Sequence, residues 1–282
     1  MPYAVENSQG LGKARMHWML RVRGAALGHP TFVFFPHAGA TPLCIGRLAA
    51  ALPSSVGVAV ASLPRGGDLD DGTPPRRVGD AAQEAALGLM ALLRDSAADT
   101  RLVLVGNSYG ALLAYETAWR LVQAQVPVER LVVSGFRSPA LPMADTPLYR
   151  LPLPQLRAEL SARFGAAPDS GAALGDELGE QALRADLQAC DTYRHQQEAL
   201  LPIPIDVLHL TGDSSVSVDE LRAWKMVTGL SMRFISSKAG HFPWTEYPDA
   251  MARTLLQLAG EPTHAHAGSP STLAASYSLR ET

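Results

Sequence analysis

The stretch that most limits what this chain can become is Arg101-Leu102-Val103-Leu104-Val105-Gly106-Asn107-Ser108-Tyr109-Gly110-Ala111-Leu112-Leu113-Ala114-Tyr115-Glu116. Its apolar, β-branched start reads as a buried strand. Its Ala-, Leu- and Glu-rich end reads as a helix. Between them lies Gly106-x-Ser108-x-Gly110. Strand, tight glycine-flanked turn and helix form the setting of a nucleophile elbow. A side chain two residues either side of the serine would collide with the neighbouring strand and helix, which is why both positions are glycine. The arrangement lifts Ser108 above the sheet at the positive end of a new helix, where an oxyanion can be stabilised.

The rest of the chain supplies the sheet that such an elbow needs. His17–Val22 reads as an edge strand, and Thr31–Phe35, Val56–Ser62, Arg130–Ser134, Ile205–Leu210 and Ser231–Ile235 read as further strands. Helices are predicted over Leu43–Leu52, Val78–Asp95, from the elbow to about Gln125, and over Glu220–Val227 and Glu246–Leu258. Alternating strands and helices imply an α/β protein: an open, mostly parallel central sheet with helices on both faces. The rhythm breaks at residues 136–202, which are Pro-rich and then helical (Pro154–Phe164 and Gly179–Leu200, with a Gly/Ala/Asp stretch, Gly165–Asp176, between). An insertion at the carboxyl end of a parallel sheet is placed to act as a helical lid. Residues 1–15 read as a flexible leader, 16–259 as the folded domain and 260–282 as a disordered tail.

Composition narrows the partners. The chain has 282 residues, enough for one large domain, and 24 Lys and Arg against 27 Asp and Glu give a net charge of −3. No basic footprint for nucleic acid and no polybasic membrane patch is present. No run reaches the length of a membrane helix, and the first 12 residues lack a signal-peptide core. With Cys44 and Cys190 as the only cysteines, a reduced, cytoplasmic protein is the expected setting, and a monomer is expected.

A serine hydroxyl needs a base. His241, in the loop Ala239-Gly240-His241-Phe242 after the last strand, fits the order serine, acid, histidine. His17 and His209 read as strand residues, His29 precedes a strand, His195 falls in the lid helix, and His264 and His266 fall in the tail. The acid that fixes the imidazole tautomer is Asp213, just after the Ile205–Leu210 strand, or Asp219. The oxyanion donors are the amide of Tyr109 and that of Ala38, in the small-residue loop Pro36-His37-Ala38-Gly39.

Together Phe35-Pro36-His37-Ala38-Gly39, Gly106-x-Ser108-x-Gly110-Ala111 and Gly240-His241-Phe242 resemble the type II thioesterases, stand-alone α/β hydrolases of polyketide and nonribosomal peptide pathways. Leu63-Pro64-Arg65-Gly66-Gly67-Asp68, and Leu183-Arg184-Ala185-Asp186 with Tyr193, are similar to further family segments. The resemblance spans most of residues 31–258. It implies an α/β-hydrolase fold and hydrolysis of acyl thioesters on the phosphopantetheine arm of an acyl or peptidyl carrier protein. It also implies Ser108 as nucleophile, His241 as base, Ala38 and Tyr109 as oxyanion donors, and no metal or redox cofactor. Three departures stand out. Asn107 and Tyr109 replace the family's His and Met around the nucleophile, and Ser215 occupies the usual acid position. Arg137-Ser138-Pro139-Ala140 replaces the usual start of the lid. An acid that failed to reach His241 would leave acyl transfer, cyclisation or elimination on a tethered intermediate, or a non-catalytic carrier- or acyl-binding protein, as alternatives.

Overall fold

The computed structural model describes residues 18–63, 74–94, 100–143, 146–165 and 177–261. The expected leader, most of the Leu63–Asp68 segment and of the Gly165–Asp176 stretch, nearly all of the expected tail, and His17, His264 and His266 lie outside the described residues.

Seven strands form one sheet: β1 Met19–Arg23, β2 Pro30–Phe35, β3 Gly57–Ala61, β4 Arg101–Asn107, β5 Arg130–Ser134, β6 Ile205–Leu210 and β7 Met232–Ser237. Their spatial order is β1-β3-β2-β4-β5-β6-β7. β1 runs antiparallel to β3 at the edge, and every other pairing is parallel. The elbow strand β4 therefore sits at the centre, and its carboxyl end opens between the ends of β2 and β5.

Alternation along the strands divides the core into two layers, as the period-2 geometry of a strand requires. Val33, Phe35, Leu102, Leu104, Leu131, Val133, Ile205 and Val207 face one layer. Phe32, Phe34, Val103, Val105, Val132, Leu208 and Leu210 face the other. The first layer is closed by α2 (Val78–Leu93) and α3 (Tyr109–Gln123). The second is closed by α1 (Gly46–Ala51) and by a late helix over Pro248–Leu258. Side chains buried on both faces explain why these strands read as continuous apolar runs.

The insertion after β5 carries α4 (Leu153–Phe164) and α5 (Glu177–Asp191). Leu148, Leu156, Leu183 and Leu187 bury one another there, and Ala38, Leu160 and Phe164 pack against them. The insertion thus has its own small core, seated on the loop that follows β2. The expected helix Gly179–Leu200 stops at Asp191. Beyond it the chain is tied down by side chains: Tyr193 Oη donates to Glu116 Oε1 at 2.8 Å, and Tyr115 Oη lies 3.0 Å from His195 Nε2. These contacts with α3 replace helical backbone bonds, so His195 lies outside the helix in which the sequence placed it.

Two further elements differ from expectation. The Glu220–Val227 helix begins earlier, as α6 (Val218–Arg222), and finishes as a 3₁₀ turn over Ala223–Val227. Ser217 starts it with a capping box, accepting from the Glu220 amide. The closing Glu246–Leu258 helix is two pieces, α7 (Pro243–Glu246) and α8 (Pro248–Leu258). Pro248 forces the break, because the residue before a proline avoids helical geometry; Tyr247 adopts φ −136°, ψ 57°. Glu261, expected in the tail, belongs to the packed domain: its carboxylate meets His29 at 2.8 Å and Arg101 at 2.8 Å.

Candidate active site

Ser108 joins β4 to α3 with φ 56° and ψ −128°. A non-glycine residue held there costs on the order of 1–3 kcal/mol and persists only where its surroundings over-determine it. Those surroundings are visible. A Cβ on Gly106 would lie 2.3 Å from the Gly110 carbonyl oxygen, and one on Gly110 would lie 1.8 Å from that of Phe35. The Ser108 amide donates to the Ser134 carbonyl at 2.9 Å, pinning the turn to the end of β5.

The structure brings His241 and Asp213 together. His241 Nδ1 lies 2.8 Å from Asp213 Oδ2, and both side chains are almost wholly buried. A carboxylate only accepts, so Nδ1 carries the proton and Nε2 is left with a free lone pair. Ser215 completes the arrangement. Its amide and its hydroxyl donate to Asp213 Oδ1 at 2.9 and 2.6 Å, and its Oγ lies 3.2 Å from His241 Nδ1. Burial alone would raise the Asp213 pKa; the hydrogen bonds and charge of His241, with the two bonds from Ser215, outweigh it and hold the carboxyl below its ordinary range.

Asp219 is not the partner of His241. Its side chain is 96% exposed and lies 3.9 Å from Arg222 on the surface of α6. Asp206, fully buried, is engaged elsewhere, by Arg130 and Arg233 across β5 and β7. The other described histidines are also accounted for: His29 binds Glu261, His195 meets Tyr115, and His209 faces Ser236 at 3.3 Å. His37 was not weighed from sequence; it lies edge-on to Phe242, centroids 4.8 Å apart.

Asn107 holds the end of β4 against the loop that carries His241. Its Nδ2 donates to the His241 carbonyl at 2.9 Å, and its Oδ1 accepts from Ser134 Oγ at 2.6 Å. Gly135, at φ 63°, occupies the point where these groups converge. A Cβ there would stand 3.1 Å from Asn107 Oδ1, 3.2 Å from His241 Cε1 and 3.4 Å from Asp213 Oδ2. Ser134 and Gly135 were legible only as the end of a strand; their signal was position, a small pair at the carboxyl edge of the sheet beside the elbow.

The amides of Tyr109 and Ala38 have no hydrogen-bond partner among the described residues. Tyr109 is at the first position of α3 and Ala38 lies in the loop after β2. From the lid, Phe164 sets its ring against His241, centroids 4.5 Å apart. Among the described residues no cluster of three His, Cys, Asp or Glu is arranged to hold a metal, and no helix is long and apolar enough to cross a membrane.

Comparison with known proteins follows this geometry. The thioesterase domain family matches residues 30–258, most of the chain. The chain belongs to the thioesterase domain family. Among its relatives, this thioesterase-family chain is 30% identical over 244 residues to a probable cadicidin biosynthesis thioesterase of Streptomyces griseus, covering 85% of this chain and 65% of that protein. It thus spans a little under two thirds of that relative's length. It is 29% identical over 253 residues to the thioesterase PikA5 of Streptomyces venezuelae, covering 87% and 88%. Among solved structures, the type II thioesterase BorB from the borrelidin biosynthetic cluster superposes with a TM-score of 0.75 at 28% identity, covering 86% of this chain and 97% of that one. RedJ, a thioesterase of the prodiginine pathway in Streptomyces coelicolor, gives 0.70 at 29%, covering 83% and 87%. The mostly parallel sheet with its helical insertion is the α/β-hydrolase fold of these thioesterases.

Proposed function

We propose that this thioesterase-family chain hydrolyses acyl thioesters carried on the phosphopantetheine arm of an acyl or peptidyl carrier protein, in trans, through Ser108. The observation that carries the reading is the buried Asp213–His241 pair at 2.8 Å, in the loops beside a serine held at φ 56°. His241 Nε2 takes the Ser108 proton as Oγ attacks the thioester carbonyl. The amides of Ala38 and Tyr109 receive the oxyanion. The pantetheine thiol leaves with the proton from His241, giving an acyl-serine. Water, deprotonated by the same imidazole, attacks that ester, and Ser108 recovers its proton as the free acid departs. Asp213 keeps Nδ1 protonated and stabilises the imidazolium formed in each half-reaction.

Several features support the substrate class. The similar proteins include a probable cadicidin biosynthesis thioesterase and a type II thioesterase of the borrelidin biosynthetic cluster. The lid's apolar cluster reaches Ala38, which would set the acyl chain beside the oxyanion donors. The alternatives of acyl transfer, cyclisation or elimination, and of a binding-only role, drew on Asn107, Tyr109 and the altered acid loop; Asp213 within reach of His241 favours a catalytic reading over a binding-only one, and product analysis separates hydrolysis from transfer or cyclisation. We place the chain in the cytoplasm as a monomer; neither Cys44 nor Cys190 forms a disulfide.

The test is intact-protein mass spectrometry after incubation with a short acyl-phosphopantetheinyl carrier protein. Wild type is expected to release the acid through an acyl adduct that Ser108→Ala cannot form. Carrier binding with neither adduct nor turnover, or turnover that survives in Ser108→Ala, would overturn the reading.

A further inference from the structure

The loop that offers the Ala38 amide is fixed from the lid. Gly39 N donates to Asp186 Oδ2 at 2.8 Å, a buried contact between residues 147 positions apart. Asp186 sits on α5 and is 7% exposed. A carboxylate withdrawn from water in this way needs hydrogen-bond donors. The bond engages the Gly39 N–H, while the neighbouring Ala38 N–H has no partner among the described residues. Ala38 is also packed against the lid's apolar cluster. Two independent contacts, one polar and one apolar, therefore join the same two-residue segment to the insertion.

We propose that Asp186 is a positioning residue: it holds the loop after β2 so that the Ala38 amide faces the reacting carbonyl, and thereby makes a competent oxyanion hole conditional on a seated lid helix. This rests on the serine reading above. The role of Asp186 in this reading is exerted through Gly39. Loosening the loop would weaken the oxyanion contact in the transition state more than substrate binding, because the charge on that oxygen develops only during attack.

The experiment compares wild type, Asp186→Ala, Asp186→Asn and Ser108→Ala of the full chain. It uses an acyl-phosphopantetheinyl carrier protein as substrate and an alkyl boronic acid as a probe of the tetrahedral adduct. Removing an oxyanion donor outright costs about 10²–10³ in rate, so a misplaced donor is expected to lower kcat in Asp186→Ala by roughly 10- to 100-fold. Boronic acid affinity should fall by a similar factor, KM should stay within about twofold, and hydrogen exchange at the Gly39 amide should accelerate. Asp186→Asn keeps a carbonyl acceptor and should recover most of kcat. If Asp186→Ala fails to fold, Asp186→Leu, similar in size and without an acceptor, takes its place.

Wild-type kcat and boronate affinity in Asp186→Ala would overturn the proposal, as would a loss confined to KM. So would a loss that Asp186→Asn does not repair. An inactive Ser108→Ala beside a fully active Asp186→Ala would overturn this inference alone. Turnover surviving in Ser108→Ala would overturn the serine reading, and this one with it.

Discussion

Phe164, the last residue of α4, lies with its ring 4.5 Å from the imidazole of His241, centroid to centroid. The insertion therefore does more than sit near the His241 loop: it supplies an apolar surface against the imidazole proposed as the base. The ring covers that face of the imidazole, so on the proposed reading an acyl chain bound at Ser108 would run along it or displace it. Phe164→Ala is expected to admit small reagents to Ser108 a few-fold faster, while kcat/KM for long-chain acyl thioesters falls by about tenfold, the effect of losing part of a buried aromatic contact. Rates with short and long acyl carriers measure both. An equal change for every chain length would show that Phe164 takes no part in chain recognition.

Asp213 and Asp219 give opposite expectations. Asp213→Asn leaves the geometry nearly intact but supplies an amide where a carboxylate must accept from Nδ1, and kcat should fall by on the order of 10⁴. Asp219→Asn, at an exposed site, should leave kcat unchanged. Ser215→Ala removes one of the donors on Asp213; a hydrogen bond to a charged group contributes about 1.5–3 kcal/mol, so a loss of roughly tenfold or more is expected. Steady-state rates of the three variants decide the acid directly, and a severe defect in Asp219→Asn would contradict the assignment.

The same carboxylate makes a pH prediction. Its pKa is lowered on folding, because the bonds from His241 and Ser215 outweigh burial. The unfolded chain then binds the proton more readily than the folded one, so stability rises with pH across the shifted range. Asp213's contribution is complete above its unfolded pKa, about 3.9, and is lost as pH falls through the folded value. The difference in Tm between wild type and Asp213→Asn should be level above about pH 4 to 5 and shrink in stronger acid. A difference independent of pH down to acid unfolding would argue against an ionised Asp213 in the folded state.

How much of this was visible in the sequence depends on how local the determinant is. The elbow could be read because two glycines and a serine report a backbone requirement at fixed offsets, and the strands because β-branched runs are buried on both faces. The choice between Asp213 and Asp219 could not be read. It turns on how the loop after β6 bends, with the Ser215 amide and hydroxyl drawing the Asp213 carboxylate back toward His241. The end of the lid helix was missed for a related reason: Tyr193 and His195 are held by Glu116 and Tyr115, more than seventy residues earlier. Helical spacing alone carries no trace of such partners. Phe164 and Asp186 read as ordinary lid residues, since nothing in their neighbours in sequence announces His241 or Gly39.

Asn107 illustrates a departure from the family pattern acquiring a structural account. It is 1% exposed and bridges Ser134 and the His241 carbonyl. Asn107→Leu would leave both partners without their bond, at about 1–3 kcal/mol for each buried group, and would free the His241 loop from the elbow. A lower Tm together with a reduced kcat is expected. Asn107→Asp keeps the acceptor for Ser134 but loses the donor to His241, so a kcat defect in that variant with smaller loss of Tm would separate the two bonds. Equal stability and activity in wild type and Asn107→Leu would remove Asn107 from the account.

His195 closes the lid's return path onto α3 through Tyr115. Burial lowers its pKa below the ordinary histidine value, and the charge of Glu116 offsets this only in part. The sign is the reverse of a histidine that gains an acidic partner. The folded state disfavours the proton, so the stabilisation is present above the unfolded pKa, about 6.5, and is lost as pH falls through the folded value. His195→Gln retains a polar side chain but does not titrate. The Tm of wild type should therefore drop relative to His195→Gln as pH is lowered below about 6.5, and the two curves should run parallel above it. Because the anchor joins the lid's end to α3, proteolysis within the insertion should quicken over the same pH window in wild type and not in the variant. Parallel Tm curves across the whole range would show that His195 keeps its ordinary protonation in the folded chain.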